Sequence, residues 1–410
     1  MRRLKKTLWT KNFTLVTAAS ALGAVGGIAG GFALSFLVFD ETGSTLASAL
    51  ILAIQLVPFF VLPLFLAPVM DRLPRKPFLV AGDLIDGVLY ALMGLYLLKF
   101  EFSYAAYLGY SLLLACLESF DELAFQSIYP KLIPDGMEQQ GYAVSTTLYP
   151  ILRVLMLPLA GVLLDAVGAA WILIGQGGLS LLAALIESNI DITEHRREGG
   201  EKLFTLRQWR ADIKEAAEYL KNERGVTGIF SYMAVTNGVA SGYSSILVAF
   251  FRTFPGFTAA MYSLFSVFEF AGRTLGGAVQ YKLKIAKEKK FGFTFIVYQI
   301  YELMDMCLLW LPYPLMLANR ALVGFLGANS ATMRQAAMQT YIPEELRARL
   351  NAFQNMLITA ASGVFTLAIG ALGEVLDYRL CVTICGATAF IAAWLLVWRR
   401  RADVRKIFEK

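Results

Sequence analysis

Histidine occurs once in this 410-residue chain, as His195, and cysteine only four times. Charged residues are scarce too, at 17%, where a soluble globular chain carries roughly a quarter. Each scarcity excludes something. A single histidine in a polar stretch leaves no histidine proton relay, no histidine metal site and no Ser-His or Cys-His catalytic pair. Cys116, Cys307, Cys381 and Cys385 lie in or near apolar runs without metal-ligand spacing, so neither a disulfide scaffold nor a zinc site is expected, and packing is their assigned role. No Gly-Lys-Ser/Thr phosphate loop is present, so direct use of ATP is not expected, nor is any cofactor.

What fills the chain instead is apolar: 57% hydrophobic residues, with a mean hydropathy of +0.57. A helix needs roughly 20 apolar residues to cross a bilayer, and the chain holds runs of that length near 13–39, 46–70, 78–98, 103–129, 141–164 and 168–190. A polar stretch follows, then runs near 226–251, 257–281, 291–311, 315–341, 350–373 and 380–398. They are long and continuous, unlike the short alternating segments of a transmembrane barrel. The run after Met1-Arg2-Arg3-Leu4-Lys5-Lys6 is too long for a signal peptide and reads as a retained first helix. The expected fold is an all-α integral membrane bundle of twelve spans.

The net charge of +6 is read as topology rather than as nucleic-acid binding. With both termini cytoplasmic, 30 of the 37 Lys and Arg residues fall in cytoplasmic segments. The outer loops hold only Lys99, Arg252 and Arg379, and Arg153, Arg273, Arg320 and Arg334 lie within spans. The positive-inside rule favours that orientation.

The chain repeats itself at an offset of about 209 positions. Ile133-Pro134-Asp135-Gly136-Met137 answers Ile342-Pro343-Glu344-Glu345-Leu346, Gly161…Asp165 answers Gly370…Glu374, and Gln126 answers Gln335. Two parallel six-helix halves, 1–191 and 226–398, are expected, an architecture of transporters that rock about a central site. Residues 192–225 form a linker in which Leu206, Trp209, Ile213, Ala217 and Leu220 recur at helical spacing. This predicts an amphipathic helix on the cytoplasmic membrane surface, with a partner-protein site as the alternative. Residues 399–410 read as a basic cytoplasmic tail.

Asp71-Arg72-Leu73-Pro74-Arg75-Lys76, between the second and third spans, resembles the signature loop of the major facilitator superfamily, with Ala67 at the usual glycine position. A carboxylate there can cap a helix of the other half while the basic residues pair with acids. Asp71, Arg72, Arg75 and Lys76 are therefore a candidate conformational latch. The second half keeps Lys282 but has Tyr281 in place of the acid. Phe39-Asp40-Glu41-Thr42-Gly43-Ser44, the Gln126/Pro130/Pro134 spacing with its echo from Gln339 to Pro343, and Arg320-x-x-x-Gly324 resemble the drug-proton antiporter branch that includes macrolide-efflux and enterobactin-exporter proteins.

Ionisable groups inside the bilayer are costly and are functional candidates by default. The spans hold Asp83, Asp86, Glu118, Asp121, Glu122, Glu269, Glu302 and Asp305 against four arginines, leaving four carboxyls uncompensated. Some must be protonated, hydrated or matched by a cationic substrate. The resemblance implies that spans 1, 2, 4, 5, 7, 8, 10 and 11 line the cavity. On that basis Glu118, Asp121, Glu122 and Glu269 are proton-coupling candidates, and Arg153, Arg273 and Arg334 their charge partners. A Glu118–Arg153 bridge or a Glu269–Arg273 pair that only holds packing is the alternative. Asp86, Glu302 and Asp305 are expected to pair between helices. Phe32, Asn237, Tyr243, Phe265 and Phe268 are candidate substrate contacts, with packing as the alternative. Gly23, Gly26, Gly27, Gly30 and Gly31 should permit close helix approach in the first span.

The expected activity is alternating-access, proton-coupled export of small amphiphilic organic compounds across a bacterial inner membrane by a monomer. A siderophore, lipid or metabolite transporter, an uncoupled facilitator and a non-transporting receptor stay open as alternatives.

Overall fold

The computed structural model describes residues 7–70, 74–192, 206–282 and 285–409. Fourteen α-helices are found among them: α1 (Lys11–Thr42), α2 (Thr45–Met70), α3 (Lys76–Lys99), α4 (Tyr104–Leu132), α5 (Glu138–Val167), α6 (Ala169–Ser188), α7 (Leu206–Asn222), α8 (Arg224–Thr253), α9 (Ala259–Lys282), α10 (Lys287–Cys307), α11 (Tyr313–Tyr341), α12 (Glu344–Gly373), α13 (Tyr378–Ala392) and α14 (Arg401–Glu409). No strand occurs among the described residues. Every apolar run picked out above falls on a helix.

Eight of the described helices are long and apolar enough to cross a membrane. The 24 residues of α3 rise about 36 Å at 1.5 Å per residue, enough for a hydrocarbon core about 30 Å thick. The charges carried by α4, α9 and α11 lower their hydropathy. Many large apolar side chains point outward, among them Leu155 on α5, Leu185 on α6, Leu275 on α9 and Val364 on α12. On a water-soluble protein such a surface would aggregate; lipid is its natural covering.

Local chemistry sets the helix ends. Gly43 at φ +64° turns the chain between α1 and α2, and Gly168 at φ +81° ends α5 and opens α6; glycine bears the left-handed conformation without steric cost. Pro77 sits in the first turn of α3, where its missing N–H is harmless.

The chain divides into two compact units. Unit 1 comprises Met1–Glu41, Gln55–Phe204 and Thr258–Ser263; unit 2 comprises Thr42–Ile54, Thr205–Phe257 and Leu264–Lys410. Each is mostly one repeat, but each also takes in the first turns of a helix from the other.

In unit 1, α3 and α6 pack backbone to backbone. A Cβ on Gly177 would stand 2.6 Å from the Gly87 carbonyl oxygen, so neither glycine tolerates a side chain. Gly26 and Gly30 of α1 abut Gln176 of α6, the close approach expected of the first span's glycines. Phe13, Val16, Leu79, Ile128, Leu132 and Ile190 form an apolar cluster in the same unit.

In unit 2, α8 and α12 lie together with Gly238 and Gly242 against the Ala361 and Phe365 carbonyls. Of the linker, residues 206–222 form α7, while 193–205 lie outside the described residues. Leu220 of α7 is buried against Val226, Ile229 and Phe230, and Glu215 pairs with Arg349 of α12 at 2.6 Å. The basic tail is helical too: Val404, Ile407 and Phe408 of α14 turn inward onto the same core, leaving Arg405 over the Phe291 ring.

Candidate functional site

Charge inside the helical units is arranged in two different ways. Unit 2 pairs it. Asp305 of α10 forms an ion pair with Arg320 of α11, whose side chain is almost wholly enclosed and also donates to Asn319 Oδ1 at 2.8 Å and to the Tyr243 hydroxyl at 3.4 Å. Nearby, Glu302 is buried and accepts from the Tyr232 hydroxyl at 3.3 Å, which in turn meets Tyr301 at 3.0 Å. Arg334 of α11 donates to the Tyr298 hydroxyl at 3.1 Å and lies over its ring. On α9, Arg273 pairs with Glu269 at 2.7 Å one turn away.

Unit 1 does the opposite. Asp83 and Asp86 on α3, Glu118 and Asp121 on α4, and Glu187 on α6 face a common electrostatic neighbourhood, and among the described residues no Lys or Arg forms an ion pair with any of them. Gly82 opens the way for Asp121, whose Oδ1 lies 3.0 Å from where a Gly82 Cβ would stand. The Ser180 hydroxyl of α6 donates to Asp86 Oδ2 at 3.3 Å. Glu187 is only 3% exposed. Its Oε2, Asp86 Oδ1 and Asp121 Oδ1 are buried oxygens without a hydrogen-bond partner among the described residues.

Magnitudes decide what this implies. Insertion scales put one charge at mid-bilayer at about 2.5–3.5 kcal/mol, a cost that is lower for Glu187 in the last turn of α6. Carboxyls buried in this cluster are costly unless they are protonated, hydrated or matched by a cation. No group of three or more His, Cys, Asp or Glu side chains among the described residues is arranged to hold a metal ion.

The comparisons with known proteins decide the family. The profile of the Major Facilitator Superfamily matches residues 15–298 and 300–409. The chain belongs to the Major Facilitator Superfamily. Its fold is similar to that of the peptide transporter POT in complex with alafosfalin (TM-score 0.70, 11% identity, 99% of this chain and 98% of that one). It is also similar to a bacterial homolog of the human lysosomal transporter Spinster in an inward-facing, unoccupied conformation (0.66, 14%, 97% and 94%). A third likeness is to a structure titled as a bacterial metal transporter (0.68, 14%, 99% and 100%). No curated protein matches the chain. A facilitator-superfamily protein with many apolar helices is a multi-pass membrane transporter.

Within this superfamily fold the sequence-derived candidates separate. Glu118 and Asp121 join the acidic cluster, whereas Glu122 accepts from Gln126 Nε2 on its own helix. Arg153 is exposed on α5, and no ion pair joins it to Glu118 among the described residues. Phe32 is buried, with Phe36 and Tyr262 rings at 4.9 and 6.1 Å. Phe265 is buried edge-on to Phe251. Asn237 bonds back to the Met233 carbonyl, and Phe268 is exposed. Of the latch, Asp71 and Arg72 lie outside the described residues; Arg75 precedes α3, and Lys76 donates to the Ser188 carbonyl at the end of α6 at 2.8 Å.

Of the acids expected to pair between helices only Asp305 does so, Asp86 accepting from Ser180 and Glu302 from Tyr232, and Glu187 was not singled out by sequence reasoning at all. It falls within the sixth run, near its end. The signal was its position seven residues after Ser180, on a face shared with Gly177 and Ala184.

Proposed function

We propose that this transporter couples solute export to protons, with Asp83, Asp86, Asp121 and Glu187 as the proton-carrying group and Glu118 as its more exposed neighbour. The observation that carries this reading is five carboxyls on α3, α4 and α6, four of them largely buried, with no ion-paired basic partner among the described residues. Carboxyls that must be neutralised to stay in a membrane, yet retain the capacity to ionise, are the minimum apparatus for exchanging a proton between two compartments. The paired charges of unit 2 suit a structural role, because an ion pair satisfied on both sides has little reason to titrate.

The solute is proposed to be a small amphiphilic organic compound, in keeping with the apolar and aromatic character of the candidate contacts Phe32, Tyr243, Phe265 and Phe268. The membrane is proposed to be a bacterial inner membrane, crossed twelve times by two six-helix halves with both termini cytoplasmic, as the distribution of basic residues favours. A thermal-shift panel of antibiotics, dyes, siderophores and lysolipids identifies a solute. Proteoliposomes then test coupling: efflux of that solute is expected to accelerate under an opposing proton gradient and to lose the acceleration when an ionophore collapses it. Efflux indifferent to the ionophore would make the protein an uncoupled facilitator.

A further inference from the structure

An acid in the last turn of a helix stands at the wrong end of its own macrodipole. Asp165 in the final turn of α5 and Glu374 just after α12 both do so, and they are each other's counterparts at the 209-residue offset of the repeat. Each is compensated by a different helix, drawn from the other repeat.

In unit 2, Glu374 Oε1 accepts from the Leu46 N–H at 2.8 Å and from the Ser44 hydroxyl at 2.7 Å. The Thr45 hydroxyl, 3.1 Å from the same oxygen, donates to the Gly370 carbonyl at 2.8 Å. In unit 1, Asp165 Oδ2 accepts from the Ala260 N–H at 3.3 Å. Leu46 is the second residue of α2 and Ala260 the second residue of α9, so both carboxylates take the same orphan donor of the corresponding helix. Each of these helices already has its own cap: Ser44 Oγ accepts from Ala47 N at 3.0 Å and Thr258 Oγ1 from Met261 N at 3.2 Å. The carboxylate satisfies a second orphan N–H of a helix start that already has one cap.

The approach itself depends on matched glycines one turn earlier. A Cβ on Gly370 would stand 2.3 Å from Ala49 Cβ, and one on Gly161 would stand 2.7 Å from Ala260 Cα. Four features therefore recur in both repeats: the glycine, the acid four residues later, the helix captured and the N–H engaged. A coincidence of packing would not be expected to reproduce all four.

We propose that Glu374 and Asp165 are paired cross-repeat caps, holding α2 to α12 and α9 to α5 on the outer face, and that both must let go for that face to open. The proposal goes beyond proton coupling and rests only on the transporter changing state. A pair of this kind gives a definite switch: either the N–H faces the carboxylate, or both are returned to water.

The test needs neither a solute nor a proton gradient, so its outcome is separate from that of the coupling reading. Ser48 on α2 and Ser263 on α9 are both buried; each is replaced by cysteine and its rate of maleimide labelling is followed in the purified protein. Glu374→Gln should speed labelling at position 48, and Asp165→Asn at position 263, by about threefold or more. The double variant should speed both further. Asp377→Asn serves as the control, because Asp377 caps its own helix by accepting from Arg379 N at 2.9 Å, and it should change neither rate. Unaltered labelling in both single variants and the double would overturn the proposal. Should a cap variant fail to fold, a cross-link replaces it: an ideal Cβ on Gly373 lies 3.1 Å from Thr45 Cβ, so a Thr45→Cys/Gly373→Cys pair is placed to close on oxidation. Locking that cap should slow labelling at position 263 in the other cap, and reduction should restore it. Indifference of position 263 to the lock would likewise overturn the pairing.

Discussion

Single residues carry opposite electrostatic roles in the two units, and substitutions should separate them. Arg320→Ala would leave the Asp305 carboxylate without its enclosed partner and is expected to cost about 3–5 kcal/mol, read as a large fall in melting temperature. Asp121→Asn should behave differently, since it removes an acid from a cluster that already lacks a cation. Its melting temperature is expected not to fall, while proton-driven transport drops at least about tenfold. A parallel loss of stability and transport in Asp121→Asn would instead make that residue a packing element.

Glu374 supplies the pH argument at this scale. Partial burial pushes its carboxyl up, but the donors Leu46 N–H, Ser44 and Thr45 outweigh it, so the net shift is downward. A depressed carboxyl contributes its interaction above the ordinary value of 4.5 and loses it only as pH falls through the lowered value. Labelling of Ser48→Cys, divided by that of a free thiol at the same pH to remove the thiolate fraction, should accordingly be flat between about pH 6 and 8 and rise only in stronger acid. Any pH dependence of transport near neutrality then has to arise away from the caps.

At the scale of helices, close packing makes a sharp distinction between glycines of the same helix. Gly177→Val in α6 should disrupt the α3–α6 contact, because the Gly87 backbone cannot yield, whereas Gly175→Ala has open space around it and should be tolerated. Size-exclusion profiles and melting curves of the two variants check this. Helix positions were legible in the sequence because apolar residues dominate each span, even where a few charges interrupt it. The end of the chain was not. In α14, Arg401, Arg405 and Lys406 dominate the composition, and the inward set Val404, Ile407 and Phe408 emerges only when the segment is wound as a helix. Glu187 was hidden for a related reason: an acid near the end of an apolar run reads as the membrane boundary until the helix beside it is shown to carry Asp83 and Asp86. The Gly161…Asp165 and Gly370…Glu374 repeat was visible in the sequence, but the helix starts they capture are about 95 and 330 residues away, beyond the reach of local patterns.

For the whole molecule, the family assignment describes a transporter, and the proposed caps and latch are candidates for biasing a change of state. If Asp71 belongs to a conformational latch, as its sequence context proposes, Asp71→Asn is expected to leave folding intact and to shift the ratio of states by about tenfold, equivalent to about 1.4 kcal/mol. Cysteine accessibility at matched inner and outer positions would register that shift. The central claim is that unpaired carboxyls of α3, α4 and α6 carry the coupling proton. Its most direct measurement is proton movement itself, followed with a trapped pH-sensitive dye in proteoliposomes when an identified solute is added. Wild-type protein should move protons opposite to the solute, and Asp121→Asn should not, even where it still binds the solute. Equal proton movement in the two proteins, or none in the wild type during active transport, would contradict the account.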